Sequence, residues 1–151
     1  MSGSMGTLHA GCVVIGEAGI LIRGVSGSGK SLLAGRLIDA ARAQGLFARL
    51  VADDRVALTL TGGRLVARPN RAIAGKMEVR GLGIAAAPHE DAAVIRLVVD
   101  CVIETPSRLP DDAERSVTID GVVLPRVLSQ AAGLMPIWIM LGLTDRTLAS
   151  I

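Results

Sequence analysis

Gly24–Ser31 reads GVSGSGKS, and the reading of the whole chain turns on it. The stretch fits G-x-x-x-x-G-K-[ST], the pattern of a loop that wraps its backbone around a phosphate. The flanks decide whether the match has meaning. Upstream, CVVIGEAGILIRG reads as two short strands around a turn at Gly16–Gly19, and the second strand, Ile20–Arg23, runs straight into the loop. Downstream, KSLLAGRLIDAARAQG sets Leu32, Leu33, Leu37, Ile38 and Ala41 at helical spacing, with Gly45 as the stop. A strand, a glycine-rich turn and a helix in that order predict an anion nest of backbone N–H groups at a helix N-terminus. Gly24, Val25, Ser26, Gly27, Ser28 and Gly29 would form the cradle. Lys30 would reach the β- and γ-phosphates, and the Ser31 hydroxyl would ligate Mg²⁺. A glycine-rich turn with a chance lysine would meet the bare pattern, but not these flanks.

Composition narrows the function classes. The chain has 151 residues, enough for one domain with a substantial core. Half of it is hydrophobic, yet Phe47 and Trp138 are the whole aromatic complement. The core must therefore be aliphatic, and there are few rings on which bases could stack, which argues against a single-strand nucleic-acid reader. The formal charge of +2 is small and its basic residues are scattered, so neither a nucleic-acid nor a membrane surface is indicated. Cys12 and Cys101 sit in apolar runs, as buried thiols of a reduced compartment do. No secretory signal opens the chain. Leu134–Leu143, its longest apolar run, is too short to span a bilayer, so a cytoplasmic protein is expected. Residues 1–6 are expected to be flexible or an added leader, with Met5 as the natural start.

The rest of the chain reads as α/β with many strands. ARLVADD is a buried strand ending in acids. VALTLTGGRLVAR is a hairpin about TGG, AVIRLVVDCVIE a long apolar strand, TPSRLPDDAERS a polar loop, and VTIDGVVLPRV a second hairpin. There is no repeat and no linker, so residues 1–151 form a single domain.

Phosphoryl transfer also needs an acid to orient the nucleophile and another to help hold the metal. Two sets compete: Asp53 with Asp54, soon after the loop helix, and Asp100, which closes a hydrophobic strand as a Walker B aspartate does. Pattern alone does not choose between them. A pair of adjacent acids beside bound phosphate would be strongly coupled, which is how a carboxylate is tuned for proton transfer.

Taken together, LHAGCVVIGEAGILIRGVSGSGKS, RLVADDRV and MEVRGLGI resemble, in order and spacing, the catalytic domain of bacterial HPr kinase/phosphorylase. The likeness runs over about residues 8 to 105 and is loose beyond; Met77–Ile84 looks like the family's own signature. It implies a P-loop kinase domain resembling the nucleotide-binding part of phosphoenolpyruvate carboxykinase. It also implies ATP-dependent phosphorylation of the regulatory serine of HPr, the phosphocarrier of the sugar phosphotransferase system, and reversal by phosphorolysis with inorganic phosphate to give pyrophosphate. By match, Asp53 takes the serine proton, Asp54 stands beside it near the metal, and His9 neighbours this pair. Glu78 is metal-associated, and Arg80, Gly81 and Gly83 belong to the signature loop. The family implies Mg²⁺ and a homo-oligomer, hexameric in known members. The chain starts almost at LHAG, like the short form seen in α-proteobacteria. It departs from the family at Leu134, where an arginine usually stands, with Arg126 the basic residue upstream that would compensate. Two other readings stand beside this one. A small-molecule kinase should carry an arginine-rich lid, and none is evident. A nucleotide- or phosphate-sensing module without phosphoryl transfer would not need Asp53.

Overall fold

The computed structural model describes residues 3–25, 27–70, 76–79, 83–86, 89–102 and 115–129. Alternation dominates the architecture. In Gly11–Ile15 (β2) and Ala18–Arg23 (β3) nearly every residue is buried, and successive side chains supply opposite faces of one sheet. Val13, Ile15, Ile20 and Ile22 pack on one side with Leu97, Val99 and Cys101. Cys12, Val14 and Leu21 pack on the other with Ile95 and Val98. Such strands must be covered twice. The helix Lys30–Ala43 (α1) covers the first face with Leu33, Ala34, Leu37 and Ala41. The second face closes on Val56, Leu58, Leu65 and Ala67 of a hairpin.

Leu33, Leu37 and Ala41 recur every fourth residue along α1, the expected stripe; Leu32 instead points outward, 54% exposed. Fully burying each leucine is worth about 1.5–3 kcal/mol. The helix stops at Gly45, whose N–H donates to Arg42 while that of Leu46 donates to Ala41. That pair of bonds satisfies carbonyls the helix cannot pair itself.

Ala48–Ala52 (β4) is antiparallel to β2 and therefore runs with β3. Val56–Thr61 (β5) and Arg64–Pro69 (β6) form the hairpin expected about TGG. Gly62 and Gly63 take φ of 57° and 76°, the mirror-image turn that suits twisted antiparallel strands. Gly3–Leu8 (β1) pairs with β5, so the leading stretch expected to be flexible is a strand from Gly3 onward. The reason is register: Leu8 lies opposite Val56 and extends the hairpin into a third strand. Lys76–Val79 (β7) and Gly83–Ala86 (β8) pair as a separate ribbon.

Ala93–Cys101 (β9) is central. It lies parallel to β3 on one edge. Its other edge is shared, antiparallel to β6 at Ala93 and Val94 and parallel to Val122–Ser129 (β11) from Val98 onward. Ser116–Ile119 (β10) hairpins onto β11. The order β1-β5-β6-β9-β3-β2-β4, with β11 and β10 branching at β9, brings the carboxyl ends of β3, β4, β9 and β11 to one side. The polar loop expected after Glu104 and the apolar segment around Trp138 lie outside the described residues.

Candidate functional site

Beyond Arg23 the chain turns through Gly24 into the loop and reaches α1 through Gly29, which has φ 99° and ψ 22° and no side-chain cap. The first-turn N–H groups of α1 are left to face whatever the loop holds. Gly24 cannot be replaced without movement: a Cβ there would lie 2.5 Å from Ser28 Oγ and 2.9 Å from the Cys101 carbonyl. Ser28 Oγ is buried with no hydrogen-bond partner among the described residues. A backbone this close, with an orphaned hydroxyl and an uncapped helix end, fits a polyphosphate.

Lys30 is buried, 8% exposed, and its ammonium donates to the carbonyls of Gly24 at 2.9 Å and Val25 at 3.4 Å. Its charge is thus held across the mouth of its own loop. Ser31 Oγ donates to Asp53 Oδ1 at 2.7 Å. Asp53, 7% exposed, follows the last residue of β4, and strand direction explains the meeting: β4 and β3 end on one side, and α1 starts there. A hydroxyl beside a carboxylate is an oxygen donor set of the kind Mg²⁺ takes together with phosphates.

Asp54 turns the other way, with φ 70°. Its carboxylate is hydrogen-bonded to His9 Nε2. The β1–β5 register brings His9, one past Leu8, alongside the residues just before Val56. Both side chains are about half exposed.

Asp100, the rival acid, is otherwise engaged. Arg23 donates to it through Nε at 2.7 Å and Nη2 at 2.8 Å, and Arg126 donates through Nε. Three neighbouring parallel strands each supply one member. Burial by itself pushes the Asp100 carboxyl up; the two guanidinium partners outweigh it and hold the group below the ordinary carboxylate range. Arg126, expected to serve phosphate in place of the missing family arginine, is held by this carboxylate instead.

The structure thus brings together Ser31 with Asp53, His9 with Asp54, and Lys30 with Gly24 and Val25. Glu78 lies in β7 opposite Ile84, and Gly83 opens β8. Ser26, Arg80, Gly81 and Leu134 lie outside the described residues, as does the side chain of Glu78. Sequence reasoning missed two things. One is the Arg23–Asp100–Arg126 cluster, which strand parity on the parallel strands would have suggested. The other is Cys101, whose thiol donates to the Ser28 carbonyl under the loop at 3.1 Å; its apolar run disguised it.

Comparison with known proteins points to one family. An HPr kinase/phosphorylase of Clostridium beijerinckii is 43% identical over 77 residues, 51% of this chain and 24% of its own length. One of Clostridium tetani is 42% identical over 81 residues, 54% of this chain and 25% of its own length. The chain therefore matches about a quarter of these relatives. The structure of the Hpr(Ser) kinase/phosphatase from Coxiella burnetii superposes with a TM-score of 0.71 at 26% identity, covering 95% of this chain and 97% of that one. The family model for the HPr Serine kinase C-terminal domain matches residues 3–89, which include the phosphate loop, both adjacent acids and His9. The chain belongs to the HPr serine kinase C-terminal domain family.

Proposed function

We propose that the protein is an ATP-dependent serine kinase of an HPr-type phosphocarrier, built on the nucleotide-binding fold shared with phosphoenolpyruvate carboxykinase. The observation that carries the reading is the Ser31–Asp53 hydrogen bond, which sets a buried carboxylate at the phosphate end of the loop. An ATP-sensing module needs no such acid.

The loop amides, the α1 N-terminus and Lys30 bind and orient the triphosphate. Ser31, with Glu78 by family likeness, would hold Mg²⁺, which when bound neutralises charge on the β- and γ-phosphates. The acceptor serine oxygen attacks the γ-phosphorus, the bond from that phosphorus to the β-bridging oxygen breaks, and ADP leaves. Asp53 receives the serine proton. By family likeness Asp54, hydrogen-bonded to His9, stands beside it near the metal. In reverse, an oxygen of inorganic phosphate attacks phosphoserine, pyrophosphate forms, and Asp53 returns the proton to the departing serine oxygen. One carboxylate serves both directions.

No helix among the described residues is long and apolar enough to cross a membrane. We assign the protein to the cytoplasm and, by family likeness, to a hexameric assembly. The test is incubation with [γ-³²P]ATP, Mg²⁺ and purified HPr-type proteins of the host, followed by phosphosite mapping. Label on a single serine that disappears with Asp53→Asn supports the assignment. ATP binding without transfer to any of these proteins overturns it in favour of a sensor.

A further inference from the structure

Cys101 closes β9, the strand beside β3, and so stands directly beneath the loop that β3 feeds. It touches that loop at both ends. Its carbonyl and Cβ lie so close under Gly24 that an added methyl there would come within 2.9 Å and 3.2 Å of them. Its thiol donates to the carbonyl of Ser28, the residue before the helix cap, at 3.1 Å. We propose that Cys101 is a positioning residue for nucleotide binding: by holding the Ser28 carbonyl down against β9 it turns the Gly29 N–H toward the phosphate. The inference rests on reading Gly24–Ser31 as the phosphate site.

The Ser28 carbonyl and the Gly29 N–H belong to one planar trans peptide and point opposite ways, so fixing one aims the other. This peptide has glycine on its far side, where the backbone is least restrained. The Ser28 side chain gives it no anchor, because its hydroxyl has no partner among the described residues. The backbone anchors shown for Ser28 are its own N–H, bonded to the Val25 carbonyl at 3.0 Å, and the Cys101 thiol. The thiol must keep its proton to donate. Burial raises its pKa, against the lowering pull of the Ser28 bond and the Lys30 charge, so the group stays a neutral donor. A thiol is a weak donor, and the effect should be correspondingly modest.

Three variants of the full chain test this. Cys101→Ala and Cys101→Val remove the donor, the second without leaving a cavity. Cys101→Ser keeps a donor. Direct titration with ATP and Mg²⁺ should show affinity about three- to tenfold weaker for Ala and Val, while kcat in the transfer assay changes less than about twofold. Amide hydrogen exchange in the peptide spanning residues 24–31 should quicken by a similar factor without nucleotide. Cys101→Ser should return both to within about twofold of the parent. Parental affinity and exchange in Ala and Val would overturn the proposal, and so would Ser as impaired as Ala, which would mean that packing alone matters. Failure of the parent to bind ATP would strike the functional reading instead. The exchange comparison would still decide the tether.

Discussion

The buried carboxylate of Asp53 accepts a hydrogen bond from Ser31 at 2.7 Å, joining the end of β4 to the first turn of α1. Two residues far apart in sequence thereby bring the loop and the proposed proton acceptor together. Asp53→Asn keeps the shape and a hydrogen-bonding oxygen for Ser31 but cannot take a proton. Phosphoserine formation should fall by about 10²–10⁴-fold, with ATP affinity changed by less than about tenfold. Single-turnover transfer measured beside equilibrium binding separates the two. Loss of both together would make Asp53 a nucleotide ligand rather than a base.

Lys30 requires a different expectation from that of an exposed lysine. Its ammonium is buried on two loop carbonyls, so removal affects the empty loop as well as the nucleotide. Lys30→Met retains the stem and removes the charge. ATP affinity should drop at least about tenfold, the loss of one or more charge-assisted contacts of about 1.5–3 kcal/mol each. Melting temperature, followed by circular dichroism, should move only a few degrees.

Asp100 serves stability. Asp100→Asn leaves two half-buried guanidinium groups without their counter-charge and should cost about 1–3 kcal/mol in urea denaturation. Phosphoryl transfer should stay within about threefold. Because the folded carboxyl titrates below its unfolded value, this stabilisation is fully present above about pH 4. It is lost as pH falls from there through the depressed folded value. The parent should therefore show a steeper acid loss of stability than the variant. Parallel acid curves would mean that the cluster is not worth its geometry.

Much of this was legible in the sequence because it depends on short-range pattern. The loop, α1 and its stop at Gly45, the strand before the adjacent acids and both hairpins follow from glycine placement and apolar period. The choice between Asp53 and Asp100 was not legible that way, since both close apolar strands. What separates them is which strand lies beside which, and so whether arginines or the Ser31 hydroxyl wait at its end. Residue Cys101 was hidden for the same reason: nothing near it in sequence says that β9 lies under the loop. The first strand was missed because small residues carry little signal, and its partner β5 supplies the ladder.

The His9–Asp54 pair makes a separable prediction. Both partners are about half exposed, so the pair should contribute no more than about 1 kcal/mol to folding. His9→Ala should leave the melting temperature nearly unchanged while slowing transfer about tenfold or more, through the orientation of the acids. Asp54 itself is constrained by its φ of 70°. Asp54→Ala should cost about 1 kcal/mol more stability than Asp54→Asn, because asparagine tolerates this conformation and alanine does not. Equal melting temperatures for the two would contradict the backbone assignment.

The stretch shared with the family model ends at residue 89, and β9 begins at Ala93. The stretch that the family model matches is thus made before the strand on which the loop rests. Until β9 arrives, β3 exposes one bare edge, an invitation to pair with a neighbouring chain. During synthesis the recognisable half must wait, unable to close, for a later and less recognisable piece. A graft of residues 3–89 into a relative would transplant the signature but borrow the recipient's own foundation, and its success would depend on how well that foreign strand seats the loop.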